Sequence, residues 1–69
     1  MLIFLFKNVR TVIEAEKRFV EAELQVSIRP VPTNISSECG MCVQIRHEDA
    51  DHACKLMNSN DISFKQIEL

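Results

Sequence analysis

The sequence has no tryptophan and no tyrosine, and its 69 residues include one glycine, two prolines and four phenylalanines. The phenylalanines are spread over separate apolar segments, so no aromatic platform exists on which bases could stack. There is no basic block either. Eight lysines and arginines stand against ten aspartates and glutamates, for a net charge of −2. Nucleic-acid binding draws on a basic stripe that neutralises phosphates, and this balance argues against that class. Long hydrophobic runs are absent. The opening Leu2-Ile3-Phe4-Leu5-Phe6 stretch is too short to span a bilayer or to act as a signal-peptide core, and no positive segment precedes it. A cytoplasmic protein without membrane association is expected.

What is present is ordinary for a soluble globular chain: 46% hydrophobic and 26% charged residues. A single domain over residues 1–69 is expected, near the lower limit for a chain that buries its own core. So small a core leaves little stability to spare, which makes a homodimer a natural way to cover leftover apolar surface. The three cysteines, in a chain without an export signal, point to reduced thiols rather than a disulfide framework. Their odd number leaves one unpaired in any monomer.

The continuous apolar run Leu2–Phe6 predicts a central strand buried on both faces. Asn8 can cap a following helix, and Thr11-Val12-Ile13-Glu14 is a competing capping box. A helix over about residues 9–23 follows, with Val9, Val12, Ile13, Phe19 and Val20 expected on one buried stripe and Ala15 and Ala22 close by. Val26, Ile28 and Pro30 alternate with Ser27, Arg29 and Val31 as a second strand. Pro30 and Pro32 place it at an edge and end it. A polar turn, Thr33-Asn34-Ile35-Ser36-Ser37, leads to the cysteines. Met41, Val43 and Ile45 then alternate with Cys42, Gln44 and Arg46 as a third strand with one apolar face. Glu48 and Asp49 suit the first turn of a second helix. Ala50, Ala53, Cys54 and Met57 would form its buried stripe, with Cys54 as a small core residue. His47 and His52 read as solvated. Ile62 and Phe64 open a fourth strand expected to run to Leu69. The order β-α-β-β-α-β predicts an α+β, ferredoxin-like domain: a four-stranded antiparallel sheet with two helices on one face.

The chemistry-bearing stretch is Ser36-Ser37-Glu38-Cys39-Gly40-Met41-Cys42. In this topology it approaches the Lys7-Asn8-Val9 corner, where backbone N–H groups and the Lys7 ammonium would favour a thiolate. Cys39 and Cys42 fit C-x-x-C, a spacing with three uses. Thiol–disulfide exchange is one, although here the motif runs into a strand and lacks the help of a helix N-terminus. Metal binding is another. One pair gives two of four ligands, so a dimer would have to complete the site, and His47 and His52 lie at the far end. The third use is a single working nucleophile, Cys39, beside Gly40, accepting sulfur or selenium as a persulfide, with Cys42 as a resolving thiol or a plain sheet residue. A hairpin with incidental cysteines is the plain alternative. No cofactor is expected.

Nearly end to end, the sequence resembles a family of small bacterial proteins, the selenium/sulfur carrier protein-like family. The resemblance is carried by the short apolar first strand, Ala15-Glu16-Lys17 in the first helix, Pro30-Val31-Pro32, and above all Ser36-Ser37-x-Cys39-Gly40. The acidic start of the second helix completes it. Family members usually have a small aliphatic residue where this chain has Cys42. The resemblance implies a carrier rather than a stand-alone enzyme, with Cys39 as the carrier thiolate. Backbone N–H groups around Gly40, with Ser36 or Ser37, would stabilise its loaded form. The implied partners are a donor such as a cysteine desulfurase and an acceptor enzyme.

Overall fold

The computed structural model describes residues 2–35 and 39–68. The elements run β1 (Leu2–Leu5), α1 (Val9–Glu21), β2 (Val26–Pro30), β3 (Met41–Ile45), a 3-10 turn (His47–Asp49), α2 (Ala50–Ser59) and β4 (Lys65–Glu68). The strands form one sheet in the order β2-β3-β1-β4, every neighbouring pair antiparallel. This is the ferredoxin-like arrangement that the element order predicts.

β1 is buried along its whole length, as its unbroken apolar run requires of a strand flanked on both sides. Its alternation sorts the core into two clusters. Leu2 and Phe4 join Val43, Ile45 and the helix residues Val12, Ala15, Phe19, Ala53 and Met57. Phe4 anchors this side, with the ring of Phe19 at 6.2 Å and that of Phe64 edge-on at 5.3 Å. Ile3 and Leu5 face the other way and are buried with Cys42 beneath Val31, Ile35 and Ile67. The segment after β2 therefore covers part of the sheet face that the helices leave open.

Both helices end in the same way. Leu24 N–H donates to Phe19 C=O and Glu23 N–H to Val20 C=O. The second helix repeats the pattern with Ile62 to Met57 and Asp61 to Asn58. These are Schellman closures, and each puts its turning residue in the left-handed region: Glu23 at φ 62° and Asp61 at φ 55°. At the start of α1, Asn8 Oδ1 accepts from Thr11 N–H at 2.9 Å, so the cap is Asn8 rather than the capping box one turn on.

Four expectations change. Val9, Ile13 and Val20 are exposed, because Val12, Ala15 and Phe19 alone point at the sheet and the other three lie round one side of the helix. Ile62 is not in a strand; it is the buried residue that closes α2, and β4 starts at Lys65. The first turn expected for the second helix is the 3-10 turn. Cys54 is half-buried rather than core, with its thiol donating to Gln66 Oε1 at 3.3 Å. The expected strand end at Leu69 lies outside the described residues.

Candidate functional site

The cysteine stretch sits where the β2–β3 hairpin opens. Beyond the last strand pair, Pro30 opposite Met41, Val31 N–H donates to Gly40 C=O at 3.0 Å. Ile35 N–H then donates to Pro32 C=O in a turn. Ser36, Ser37 and Glu38 lie outside the described residues, so the structure does not place the two serines read as stabilising groups.

Gly40 has φ 75°, and among the described residues nothing lies within 4 Å of where a side chain would start. The glycine is there for its backbone. Cys39, next to it, is half-buried. It packs against the helix-side core and its thiol donates to Met41 C=O at 3.0 Å. The register Leu5 to Cys42 puts this end of the hairpin at the end of the sheet where α1 begins. There, Asn8 caps the helix by accepting from Thr11 N–H.

Cys42 is three residues on but belongs to the other cluster, between Leu5 and the covering Val31 and Ile35, and is 1% exposed. Its thiol donates to Pro30 C=O at 3.9 Å. Burial, and to a smaller degree the proximity of Cys39, pushes the Cys42 thiol above the ordinary cysteine range. Burial and then Asp51 raise Cys54 as well. Both are protonated thiols at neutral pH.

The other groups are remote. Among the described residues no set of three or more His, Cys, Asp and Glu side chains is placed to hold a metal, and no helix is long and apolar enough to cross a membrane. A groove of about 810 Å³ lined by Val20, Leu24, Val26, Arg46 and Glu48, among others, lies at the opposite end of the sheet from Cys39. At that end, His47 Nε2 pairs with the Glu68 carboxylate at 2.5–2.6 Å, and this hydrogen bond holds Glu68 below the usual glutamate range. His52 is exposed, as expected. The covering role of Val31 and Ile35 and the His47–Glu68 pair were not foreseen. No local signal marks a pair 21 residues apart, whereas an apolar residue between turn residues, such as Ile35, is a usable hint of a covering segment.

The sequence model of the family described as "Putative Se/S carrier protein-like" matches residues 1–68. No curated protein and no solved structure matches the chain.

Proposed function

The chain belongs to the Se/S carrier protein-like family, and from that premise we propose that it holds a sulfur or selenium atom on Cys39 and passes it from a donor protein to an acceptor enzyme. One observation carries the choice of residue. Cys39 is the half-buried thiol at the open end of the hairpin, beside Gly40, while Cys42 is enclosed at 1% exposure.

Loading is an exchange at sulfur. Cys39 leaves its hydrogen bond to Met41 C=O, loses its proton to solvent, and attacks the terminal sulfur of a cysteine persulfide on the donor. The new bond joins Cys39 to that sulfur. The donor's S–S bond breaks, its electron pair leaves with the donor thiolate, and a proton from solvent completes the donor thiol. No external oxidant is consumed, and delivery to an acceptor thiolate repeats the step in the opposite sense. Selenium follows the same path. Backbone N–H groups at Gly40, with Ser36 or Ser37, stabilise the loaded anion in this reading. A desulfurase-type enzyme is the fitting donor, and the cytoplasm, where thiols stay reduced, is the fitting compartment.

The test is intact-mass spectrometry after incubation with a cysteine desulfurase and cysteine, under denaturing and native conditions. Wild type and Cys42→Ala should gain sulfur and Cys39→Ala should not. Loading that needs both cysteines would move the function to the C-x-x-C pair. Zinc retained in the native spectrum and lost from both variants would make this a metal module instead.

A further inference from the structure

β2 is an edge strand, and the ladder determines which of its backbone groups face outward. Val31 N–H bonds Gly40 C=O, one step past the Pro30–Met41 pair. Residues that exchange hydrogen bonds alternate along an antiparallel ladder. Ser27, Arg29 and Val31 therefore turn their N–H and C=O toward β3, while Val26 and Ile28 turn theirs outward; the Pro30 C=O accepts from the Cys42 thiol at 3.9 Å. Pro30, which has no N–H, sits at an outward position, where the ladder loses nothing.

Above this edge, α1 carries an apolar stripe without a partner: Val9, Ile13 and Val20 are 51%, 57% and 60% exposed. Together with Glu16 they lie on one side of the helix, roughly a quarter turn from the buried Val12, Ala15 and Phe19. Val20 lines the same groove as Leu24 and Val26, which puts the stripe over β2 and away from α2.

We propose that edge and stripe together dock a second copy of this chain, β2 against β2, about a two-fold axis normal to the sheet at Ile28. The backbone is self-complementary in that register. Ile28 exchanges both hydrogen bonds with Ile28 of the second copy, and Val26 falls opposite Pro30, which has no N–H to leave unpaired. A shift by one residue would present groups already bonded to β3.

The helices fit the same operation. α1 contacts both β2 and β3, so it rides over the gap between them. Strands spaced ~4.8 Å apart then put its axis about 5 Å from the two-fold and the two α1 helices about 10 Å apart, which is helix-packing distance. Val20 lies level with Val26, and two residues along a strand match about four along a helix, so Glu16 and Lys17 sit near the axis. Glu16 of each copy reaches Lys17 of the other, and Arg29 faces Ser27 of the second copy rather than its own equivalent. The surface offered, about 20 Å by 20 Å from the lengths of α1 and the two layers, is roughly half the ~800 Å² per partner of a stable interface. The dimer is therefore weak and reversible. Antiparallel pairing leaves the two Cys39 loops at opposite ends, so each copy loads independently, and the inference stands whether or not Cys39 is a carrier.

Sedimentation equilibrium on the purified full chain, with amide exchange followed over the same concentrations, tests it. The expected result is a monomer–dimer equilibrium with micromolar dissociation, and exchange at Val26 and Ile28 that slows as concentration rises. Ile28→Pro removes the central donor, and Ile13→Lys charges the exposed stripe without touching the core. Each should weaken association at least tenfold, with the circular dichroism of the Ile13→Lys monomer unchanged. A monomer at every concentration would leave the edge to a strand of another protein and overturn the proposal. So would a dimer that Ile13→Lys does not weaken, or one without concentration-dependent protection at Val26 and Ile28.

Discussion

Replacing Cys42 by serine, the usual conservative control for a thiol, should be far from conservative here. The side chain is 1% exposed in a cluster with Ile3 and Leu5, and its hydrogen bond to Pro30 C=O is already long, at 3.9 Å from the sulfur. A hydroxyl sits on a shorter bond and ends up farther away, so it is buried without a good partner. That costs about 2 kcal/mol, against a total stability of about 3–10 kcal/mol for a chain of 69 residues. Alanine loses only the packing of one sulfur, about 1 kcal/mol. Urea midpoints should therefore fall in the order wild type, Cys42→Ala, Cys42→Ser. The melting temperature should drop by roughly 4–8 °C per kcal/mol in a domain of this size. Cys39→Ser should stay within about 0.5 kcal/mol of wild type, since a half-exposed hydroxyl can still donate to Met41 C=O. A Cys42→Ser variant as stable as wild type, or less affected than Cys39→Ser, would refute the enclosed placement of Cys42. For the same reason the loading assay needs alanine at position 42; with serine, lost loading would be confounded with lost folding.

The left-handed residues give a second set. Glu23→Gly and Asp61→Gly, at φ 62° and 55°, should each raise the urea midpoint by about 0.5–1 kcal/mol equivalent, as glycine takes that conformation without strain. Gly40→Ala, at φ 75° with no described residue within reach of the new methyl, should lower it by about 1 kcal/mol, the cost of the left-handed backbone. The His47–Glu68 pair gives a third. Glu68 is held below the usual glutamate range, so its contribution is present above the unfolded glutamate pKa and is lost as pH falls through the lower folded value. Glu68→Gln should accordingly flatten the acid limb of a midpoint-against-pH profile and leave the neutral region nearly unchanged. An unaltered acid limb would show the pair to be inert.

Much of this fold can be read from local chemistry. The apolar run of β1, the cap at Asn8 and the prolines of β2 each announce an element by what its backbone needs. Other readings fail. Val9, Ile13 and Val20 have the right composition for a buried stripe, but the sheet touches only the narrower arc of Val12, Ala15 and Phe19, and periodicity does not say how wide a contact will be. Ile62 looks like the start of a strand, and only the Schellman closure at Asp61 shows that it belongs to the end of α2. The burial of Cys42 depends on Val31 and Ile35 folding over a face that alternation alone would leave to solvent. Two of these misses are tertiary contacts that periodicity does not report, and the third is a local backbone closure at the end of α2.

The cysteine spacing shows the same dependence in its sharpest form. On a helix, residues i and i+3 share a face, so a C-x-x-C at a helix start brings two thiols together. Along a strand the side chains alternate, and an offset of three sends them to opposite sides. Here only Cys42 lies in β3; Cys39 precedes the strand, beyond Gly40 at φ 75°, and packs against the helix-side core while Cys42 joins the cluster on the other face. Beside them the backbone is held by the Val31–Gly40 hydrogen bond and the Pro30–Met41 pair, although Cys39 is near enough to raise the Cys42 thiol. A single-thiol carrier would draw on Cys39 alone, and loading that survives Cys42→Ala but not Cys39→Ala is what separates it from a paired-cysteine site.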